Sequence, residues 1–590
     1  MNPLADHDPR HSCRSFRILK KGTRVSPLLI FPMKSILLTL VSLLFAATAH
    51  AQWQSTTYTL KTGWNSIYLH GDASYASLDT IFASQPAVQE VWRWNPNPNQ
   101  VQFTSTPLLP SNGTPEWSKW VRGATGNSLI GMTGQSAYLV KCSSATTVAI
   151  AYKPMPPSNT WVRSGANLLG FPSSNAAGNF PTFSSYFSTF PAAVATDSKI
   201  FKYVGGDLGA GNPQQVFSTA TERVDRNQAY WFSSEVVGNF YAPVQISLSS
   251  TDGFAFGRRG SVITARVMNR TAAVMTLRIT PVASVSPPPS GQELITAGVP
   301  ITRRTLNAQG ASVETPIAAA YDEVIAPKST VELSFGINRS AMTGAANALY
   351  ASLLRFTDSA NTFDILIPAT ARKDTLAGLW IGEATVSAVE SKPLANAVKP
   401  AGGSFPLRYL IHVADNGTAQ VLSQVFMGPM AAAPYDFGLC KSEAGLKADA
   451  KSAARRIVAT HMPLDRALAT TGSFATAGTL GCTIATPFDD PTNPFVHQYH
   501  PDHDNKSGQT TLVAGQESYT VTRAVSFTFT ATPPGGASVT GWGSSVIGGT
   551  YAEAVSGLHR DSVGVGTGDG LRLTGTFELR RASELGTLSP

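Results

Sequence analysis

The chain has 590 residues, of which 45 are basic and 37 acidic, for a formal net charge of +8. Charged residues are only 14% of the total, and no Lys/Arg-rich stripe of the kind that tracks nucleic acid stands out, which argues against a nucleic-acid partner. The 50 Gly and 39 Pro suit an exported β-protein with many turns, and the length exceeds what one hydrophobic core serves, so about three to five domains are expected.

Residues 1–51 are expected to be a leader. Lys34 supplies a charge, Ile36 to Ala47 an apolar run, and Ala49-His50-Ala51 a small-x-small cleavage site before Gln52. Met1 to Pro32 is polar and basic without periodicity, so Met33 is the expected start. The apolar run is too short for a permanent anchor, and no later segment is long and apolar enough to cross a bilayer as a helix. The expected location is secreted or cell-surface. Beyond the leader the chain keeps 38 basic and 35 acidic residues, so much of its basic character belongs to the leader. Cys13 falls in the leader, which leaves Cys142, Cys440 and Cys482. An oxidising compartment permits a Cys440–Cys482 disulfide with Cys142 left free, although spacing alone does not decide the pairing.

An internal duplication follows. Leu60-Lys61-Thr62-Gly63-Trp64-Asn65-Ser66-Ile67-Tyr68-Leu69 matches Val162 to Phe171 with one residue of slack, a Gly-x-Asn turn leading into an apolar strand in each. Ser77 to Phe82, a Ser-capped turn of helix, stands opposite Thr182 to Phe187. Val91-Trp92-Arg93-Trp94 faces Ile200-Phe201-Lys202-Tyr203, and Gln135 to Val140 faces Asn227 to Phe232. The copies are expected over residues 52–157 and 158–252. Side chains alternate across a strand, so Trp92 and Trp94 share one face, as do Phe201 and Tyr203. Such a face suits either a stacking platform for a sugar ring or peptide, or a module core.

Residues 253–373 alternate as a sandwich does: Met275, Leu277 and Ile279, then Val331, Leu333, Phe335 and Ile337, then Phe363, Ile365 and Ile367. Ala326 to Thr330 is a turn, and Val285 to Gln309, with Pro287-Pro288-Pro289, is expected to be an extended loop. This region resembles the bacterial immunoglobulin-like domains of surface proteins, which implies a spacer or binding module. Residues 376–590 carry a strand from Gly378, a hairpin at Tyr409 to Met427 with a primed turn at Asp415-Asn416-Gly417, and strands in Tyr519–Thr532, Gly549–Gly557 and Leu571–Arg581. An antiparallel barrel or sandwich is expected, with a helical insertion near Glu443 to Ile457. The fold class is thus all-β and multidomain. As a whole the chain resembles the large repeat-built exported proteins of environmental Gram-negative bacteria.

One segment concentrates metal-ligand chemistry. Of seven His beyond residue 51, His497, His500 and His503 fall between Asp489 and Asn505, beside Asp489, Asp490, Asp502 and Asp504. The imidazoles suit Zn²⁺ and the carboxylates Ca²⁺, but Lys506 and Ser507 depart from a helix-loop-helix calcium loop, and a polar loop whose side chains satisfy one another is the competing reading. His461 and Asp465 could join the cluster. No nucleophile elbow, phosphate loop or dinucleotide fingerprint occurs. The expected function is therefore non-enzymatic: adhesion, envelope assembly or carbohydrate contact, with a cell-surface polymer or another envelope protein as partner. The alternative is a metal-dependent hydrolase built on the C-terminal domain.

Overall fold

The computed structural model describes residues 52–95, 110–162, 167–209, 211–282, 287–391, 398–427, 457–461, 468–486, 521–556 and 571–588. Short-range polar contacts set the first module. Asn65 pins its turn by accepting from the Lys61 amide at 2.9 Å and donating to the Lys61 carbonyl at 2.8 Å. Ser77 caps α1 (Leu78–Ile81) by accepting from the Thr80 amide at 3.3 Å. The strands are β1 (Gln54–Leu60), β2 (Gly63–Leu69), β3 (Gly71–Asp72), β4 (Val88–Trp94), β5 (Trp117–Val121), β6 (Ser136–Cys142) and β7 (Thr146–Pro154). They form a four-stranded sheet ordered β2-β6-β4-β5 and a three-stranded sheet ordered β1-β7-β3. Between them lies a core that includes Tyr58, Ile67, Val91, Trp120, Val140 and Ile150.

The second module repeats the first sheet with β8 (Asn167–Leu169), β9 (Lys199–Lys202), β10 (Gln214–Gln215) and β11 (Tyr230–Ser233), ordered β8-β11-β9-β10. Register is preserved as well as order. Val91, Trp92 and Arg93 pair with Val140, Leu139 and Tyr138, and their equivalents Ile200, Phe201 and Lys202 pair with Phe232, Trp231 and Tyr230. The local devices recur too: Asn167 accepts from the Val162 amide at 2.8 Å, and Thr182 caps α2 (Phe183–Tyr186) through the Ser185 amide at 3.3 Å. In each copy a tyrosine hydroxyl takes the backbone amide five residues upstream, Tyr138 from Thr133 and Tyr230 from Asp225, both at 2.8 Å.

The second module's aromatic core, with Trp161, Phe171, Phe187 and Phe232, runs on without a break into that of the sandwich. One sandwich sheet is ordered β12 (Val244–Ser247), β14 (Val262–Asn269), β20 (Thr330–Ile337), β17 (Ile301–Leu306), β18 (Ser312–Pro316). The other is ordered β13 (Phe254–Gly257), β22 (Asp364–Arg372), β21 (Leu349–Asp358), β15 (Met275–Val282), β19 (Tyr321–Ile325), with β16 (Ile295–Ala297) beside β21. Alternating residues fill the space between the sheets, as the sequence pattern predicts. Two details differ from expectation. The sandwich takes in β12, ahead of residue 253, and the stretch expected as one extended loop from Val285 to Gln309 contains the three-residue β16, beside β21, and β17, paired between β20 and β18.

Among the described residues the C-terminal sheet has nine strands, all antiparallel: β28 (Leu468–Ala469), β25 (Ala419–Val421), β24 (Val398–Val413), β23 (Gly378–Ser391), β33 (Leu571–Ser583), β32 (Val546–Ser556), β31 (Val521–Phe529), β30 (Thr479–Thr486) and β29 (Thr471–Gly472). It curls until β28 lies beside β30, a nearly closed barrel. Hairpin β26 (Ser423–Met427) and β27 (Ile457–His461) stands beside it. The barrel interior is filled by Trp380, Tyr409, Phe474, Phe527, Phe529, Phe577 and their neighbours. The expected hairpin at Asp415-Asn416-Gly417 forms, but not with a primed turn: only Gly417 has positive φ, at 86°, and its amide bonds the Ala414 carbonyl at 2.9 Å, a type I turn closed by a left-handed glycine. Residues 443–456 of the expected helical insertion lie outside the described residues, and Ile457 opens a strand. Among the described residues no helix is long and apolar enough to cross a membrane.

Candidate functional site: the cleft between the two copies

Trp92 and Trp94 share a face of β4, as alternation requires, and that face is covered. Both are buried, at 5% and 6% exposure, in a cluster with Trp64, Tyr68, Trp117, Leu139, Leu168, Tyr203 and Trp231, against which half-buried Phe201 packs. These residues come from both copies. The aromatic face is therefore neither an open platform nor the inner core of one module, but the joint between the two. Sequence alternation could not separate these outcomes, because a module joint and a module core need the same side chains.

The joint is made by equivalent faces meeting. Gly170 is the counterpart of Tyr68, and a Cβ there would lie 2.1 Å from the Tyr68 ring carbon Cγ, so the small residue in one copy accommodates the large one in the other. Ser66 Oγ donates to the Ala229 carbonyl at 2.7 Å, the Tyr68 amide to the Asn227 carbonyl at 3.0 Å, and the Trp64 amide to the Gly206 carbonyl at 2.9 Å. Asn212 Nδ2 returns a bond to the Trp64 carbonyl at 3.0 Å. Trp231 Nε1 donates to the Tyr203 hydroxyl at 3.0 Å, and burial raises that phenol's pKa against the opposing effect of this bond.

Beside the joint the copies part to leave a cleft of about 410 Å³. Its first side is β1 and the start of β2, presenting Thr57, Thr59, Lys61 and Ser66; its second is the end of β9 and the turn before β11, presenting Lys202, Asp225, Asn227 and Gln228, with Tyr203 between. Parts of the second side are fixed. Asp225 Oδ1 takes the Asn227 amide at 2.8 Å, Gln228 Nε2 donates to the Tyr203 carbonyl at 2.8 Å, and Lys202 Nζ pairs with Glu222 at 2.7 Å. Among the described residues these contacts leave the second carboxylate oxygen of Asp225 and the Gln228 side-chain carbonyl as acceptors. The Asn227 side-chain amide has no hydrogen-bond partner among the described residues, and it adds both a donor and an acceptor. A lining of hydroxyls, amides and single charges held on two preformed walls can hold a polar ligand by many modest hydrogen bonds.

Sequence reasoning reached Tyr203 but missed the rest of this lining, and Phe201 packs against the joint instead. Asn227 and Gln228 were visible as the start of a repeated strand, yet nothing in sequence brings them to Thr57 and Lys61. Of the proposed metal ligands, Asp489, Asp490, His497, His500, Asp502, His503 and Asp504 all lie outside the described residues, in the connection from β30 to β31. His461 ends β27, and Asp465 lies outside the described residues. Among the described residues no group of three or more His, Cys, Asp or Glu could hold a metal ion. Cys142 and Cys482 are both free and buried, and Cys440 lies outside the described residues.

No family model matches the chain, and no curated protein matches it. Among solved structures, it is similar to a Bacteroides ovatus protein of unknown function at 10% identity and a TM-score of 0.15, over 58% of this chain and 96% of that one. A multidomain Bacteroides ovatus protein including DUF1735 matches at 10% identity, a TM-score of 0.12 and the same coverages. A Salmonella alpha-2-macroglobulin mutant matches at 10% identity and a TM-score of 0.14, over 91% of this chain and 44% of that one.

Proposed function

We propose that the protein is an exported, non-enzymatic modular binding protein, and that the cleft between its duplicated modules takes a polyhydroxylated ligand, an oligosaccharide stretch of cell-surface or matrix polymer. The observation that carries this reading is the polar cleft between two modules locked together by tryptophans. A sugar chain offers donors and acceptors in alternation, and Thr57, Thr59, Ser66, Asp225, Asn227 and Gln228 offer the complement. Binding at such a site costs little reorganisation, because its walls are already held by the joint. The sandwich and barrel are then the stem that carries the paired modules away from the surface, in keeping with the leader-like residues 1–51.

The test is a glycan array probed with the labelled chain from Gln52 onward, followed by titration of each hit. The reading expects neutral polysaccharide fragments among the hits and loss of those hits in an Asn227→Ala, Gln228→Ala variant. A chain that binds no glycan, or that binds equally well with both amides removed, contradicts it.

A further inference from the structure

The chain contains two Asn-Gly steps, and both continue into Thr: Asn112-Gly113-Thr114 and Asn416-Gly417-Thr418. Such a step is chemically weak, because glycine has no side chain to restrain its backbone from approaching the preceding asparagine's side-chain carbon. By sequence the two sites are equally reactive. Their glycines even share a conformation, with φ of 80° and 86°. What differs is how each site is held.

At the second site both reacting groups are committed elsewhere. Asn416 Oδ1 accepts from the Thr418 amide at 3.0 Å, and the Gly417 amide donates to the Ala414 carbonyl at 2.9 Å. These bonds belong to the turn between β24 and β25, where the Ala414 amide also bonds the Thr418 carbonyl at 2.8 Å. Bringing the Gly417 nitrogen onto the Asn416 side chain therefore breaks the turn.

At the first site neither group is committed in this way. Asn112 and Gly113 are exposed in the loop that leads into β5, and the Gly113 amide has no hydrogen-bond partner among the described residues. Asn112 Oδ1 instead accepts from Lys119 Nζ at 2.6 Å. An ammonium group only donates, so the atom that faces it is the oxygen, and Nδ2 is left without a partner among the described residues. Lys119 is presented from a fixed backbone, its amide donating to Ser128 Oγ at 2.9 Å and its carbonyl accepting from the Leu129 amide at 2.8 Å. A cation placed on a carbonyl oxygen stabilises the negative charge that develops there when the carbon is attacked.

We propose that Asn112 is a self-modification site, at which the folded chain converts a neutral side chain into a carboxylate. The Gly113 nitrogen gives its proton to solvent and forms a bond to Asn112 Cγ, and the charge gathers on Oδ1 beside Lys119. Its collapse breaks the bond from Cγ to Nδ2, which takes a proton from solvent and leaves as ammonia. Water then opens the five-membered imide at either carbonyl, giving an aspartyl or an isoaspartyl residue at position 112. The sum is one water consumed and one ammonia released, with no change of oxidation state. The aspartyl product exchanges a bond to a neutral oxygen for an ion pair with Lys119. The altered loop runs directly into Trp117 of the joint.

The test incubates the chain from Gln52 onward at neutral pH and body temperature and follows both sites by peptide mapping in a mass spectrometer, with isoaspartate methyltransferase labelling to count the isoaspartyl product. In the folded chain Asn112 should react about tenfold faster than Asn416. In unfolding concentrations of urea the two rates should converge, because the tripeptides are the same. Lys119→Ala should slow Asn112 severalfold and leave Asn416 unchanged, whereas Lys119→Arg should keep most of the native rate, which separates the cation from a mere change of loop shape. Asn416 keeping pace with Asn112 in the folded chain, Asn112 reacting more slowly folded than in urea, or a rate at Asn112 indifferent to Lys119→Ala would overturn the proposal.

Discussion

Trp94 of the first copy and Trp231 of the second meet edge to face, with ring centroids 5.2 Å apart and planes at 70°. Trp117 completes the group, 5.2 Å from Trp94 and 6.2 Å from Trp231. Edge-to-face pairs set the positive rim of one ring against the negative face of the other, which fixes orientation as well as contact. Two modules that share such a group behave as one body, and the cleft beside it keeps its width.

Removing one ring should therefore cost more than a surface change. Trp231→Ala is expected to lower the unfolding free energy by about 3–5 kcal/mol, the range for a buried tryptophan. A double-mutant cycle with Trp94→Ala should show a coupling of about 0.5–1.5 kcal/mol. Strictly additive effects in urea denaturation would mean that the two rings do not support each other.

Acid should loosen the same joint through His70. This residue of the first copy is buried, with Nε2 2.7 Å from the carbonyl of Arg226 in the second. Burial, then the nearby Arg226 guanidinium, hold its pKa well below the usual histidine range, and the bond to the Arg226 carbonyl opposes them only in part. The folded chain thus refuses a proton that the unfolded chain accepts near pH ~6.5. Its contribution is complete above that pH and declines as pH falls below it. Stability measured between about pH 7.5 and pH 5 should fall more steeply in the native chain than in His70→Gln; parallel slopes would reject this role.

Two thiols should be silent in the folded chain. Burial pushes Cys142 up to about 11, and burial likewise pushes Cys482 up to about 11 although Arg523 acts to lower it. The thiolate is the reactive form, so neither should be alkylated at pH 8 until the chain is unfolded. Because the folded state favours the protonated thiols, their share of stability is intact below the unfolded-chain value near pH ~8.5 and is lost as pH rises through about 11. Mass spectrometry after alkylation without reductant checks this. A Cys440–Cys482 linked peptide would show that the exported chain holds Cys482 as a disulfide.

Inside the barrel, Arg523 and Glu553 are both fully buried and bonded to each other, and the Tyr551 hydroxyl donates to the second Glu553 oxygen. Tyr409 extends the chain of groups, its hydroxyl 2.6 Å from that of Tyr551. Glu553→Leu leaves a buried guanidinium without its counter-charge and should cost about 3–5 kcal/mol. Replacing both members, Arg523→Met with Glu553→Leu, should cost far less. Equal losses in thermal unfolding would show that the pair contributes by more than mutual neutralisation.

Much of this fold was legible because its periodic signals are local. Met275, Leu277 and Ile279 alternate inward as read, and the paired copies announce themselves through Asn65 and Asn167, Ser77 and Thr182, Tyr138 and Tyr230, each of which has a backbone duty that survives change around it. What covers a face is a tertiary fact. Trp92 and Trp94 could be placed on one side of a strand, but the partner that buries them, Trp231, enters from another module. The cleft was hidden for the same reason, since Lys61 and Asn227 meet only after the copies dock. Likewise Asn112 and Asn416 open identical tripeptides, and only the fold tells them apart.

The central claim is that the joined copies hold a saccharide in the cleft between them. Isothermal titration of the chain from Gln52 onward with the best-bound neutral oligosaccharide, alongside its Asn227→Ala, Gln228→Ala variant, tests it most directly. The account predicts saturable one-to-one binding that weakens at least tenfold, about 1.4 kcal/mol, in the variant. Binding that survives loss of both amides, or no heat from any neutral oligosaccharide, would contradict it.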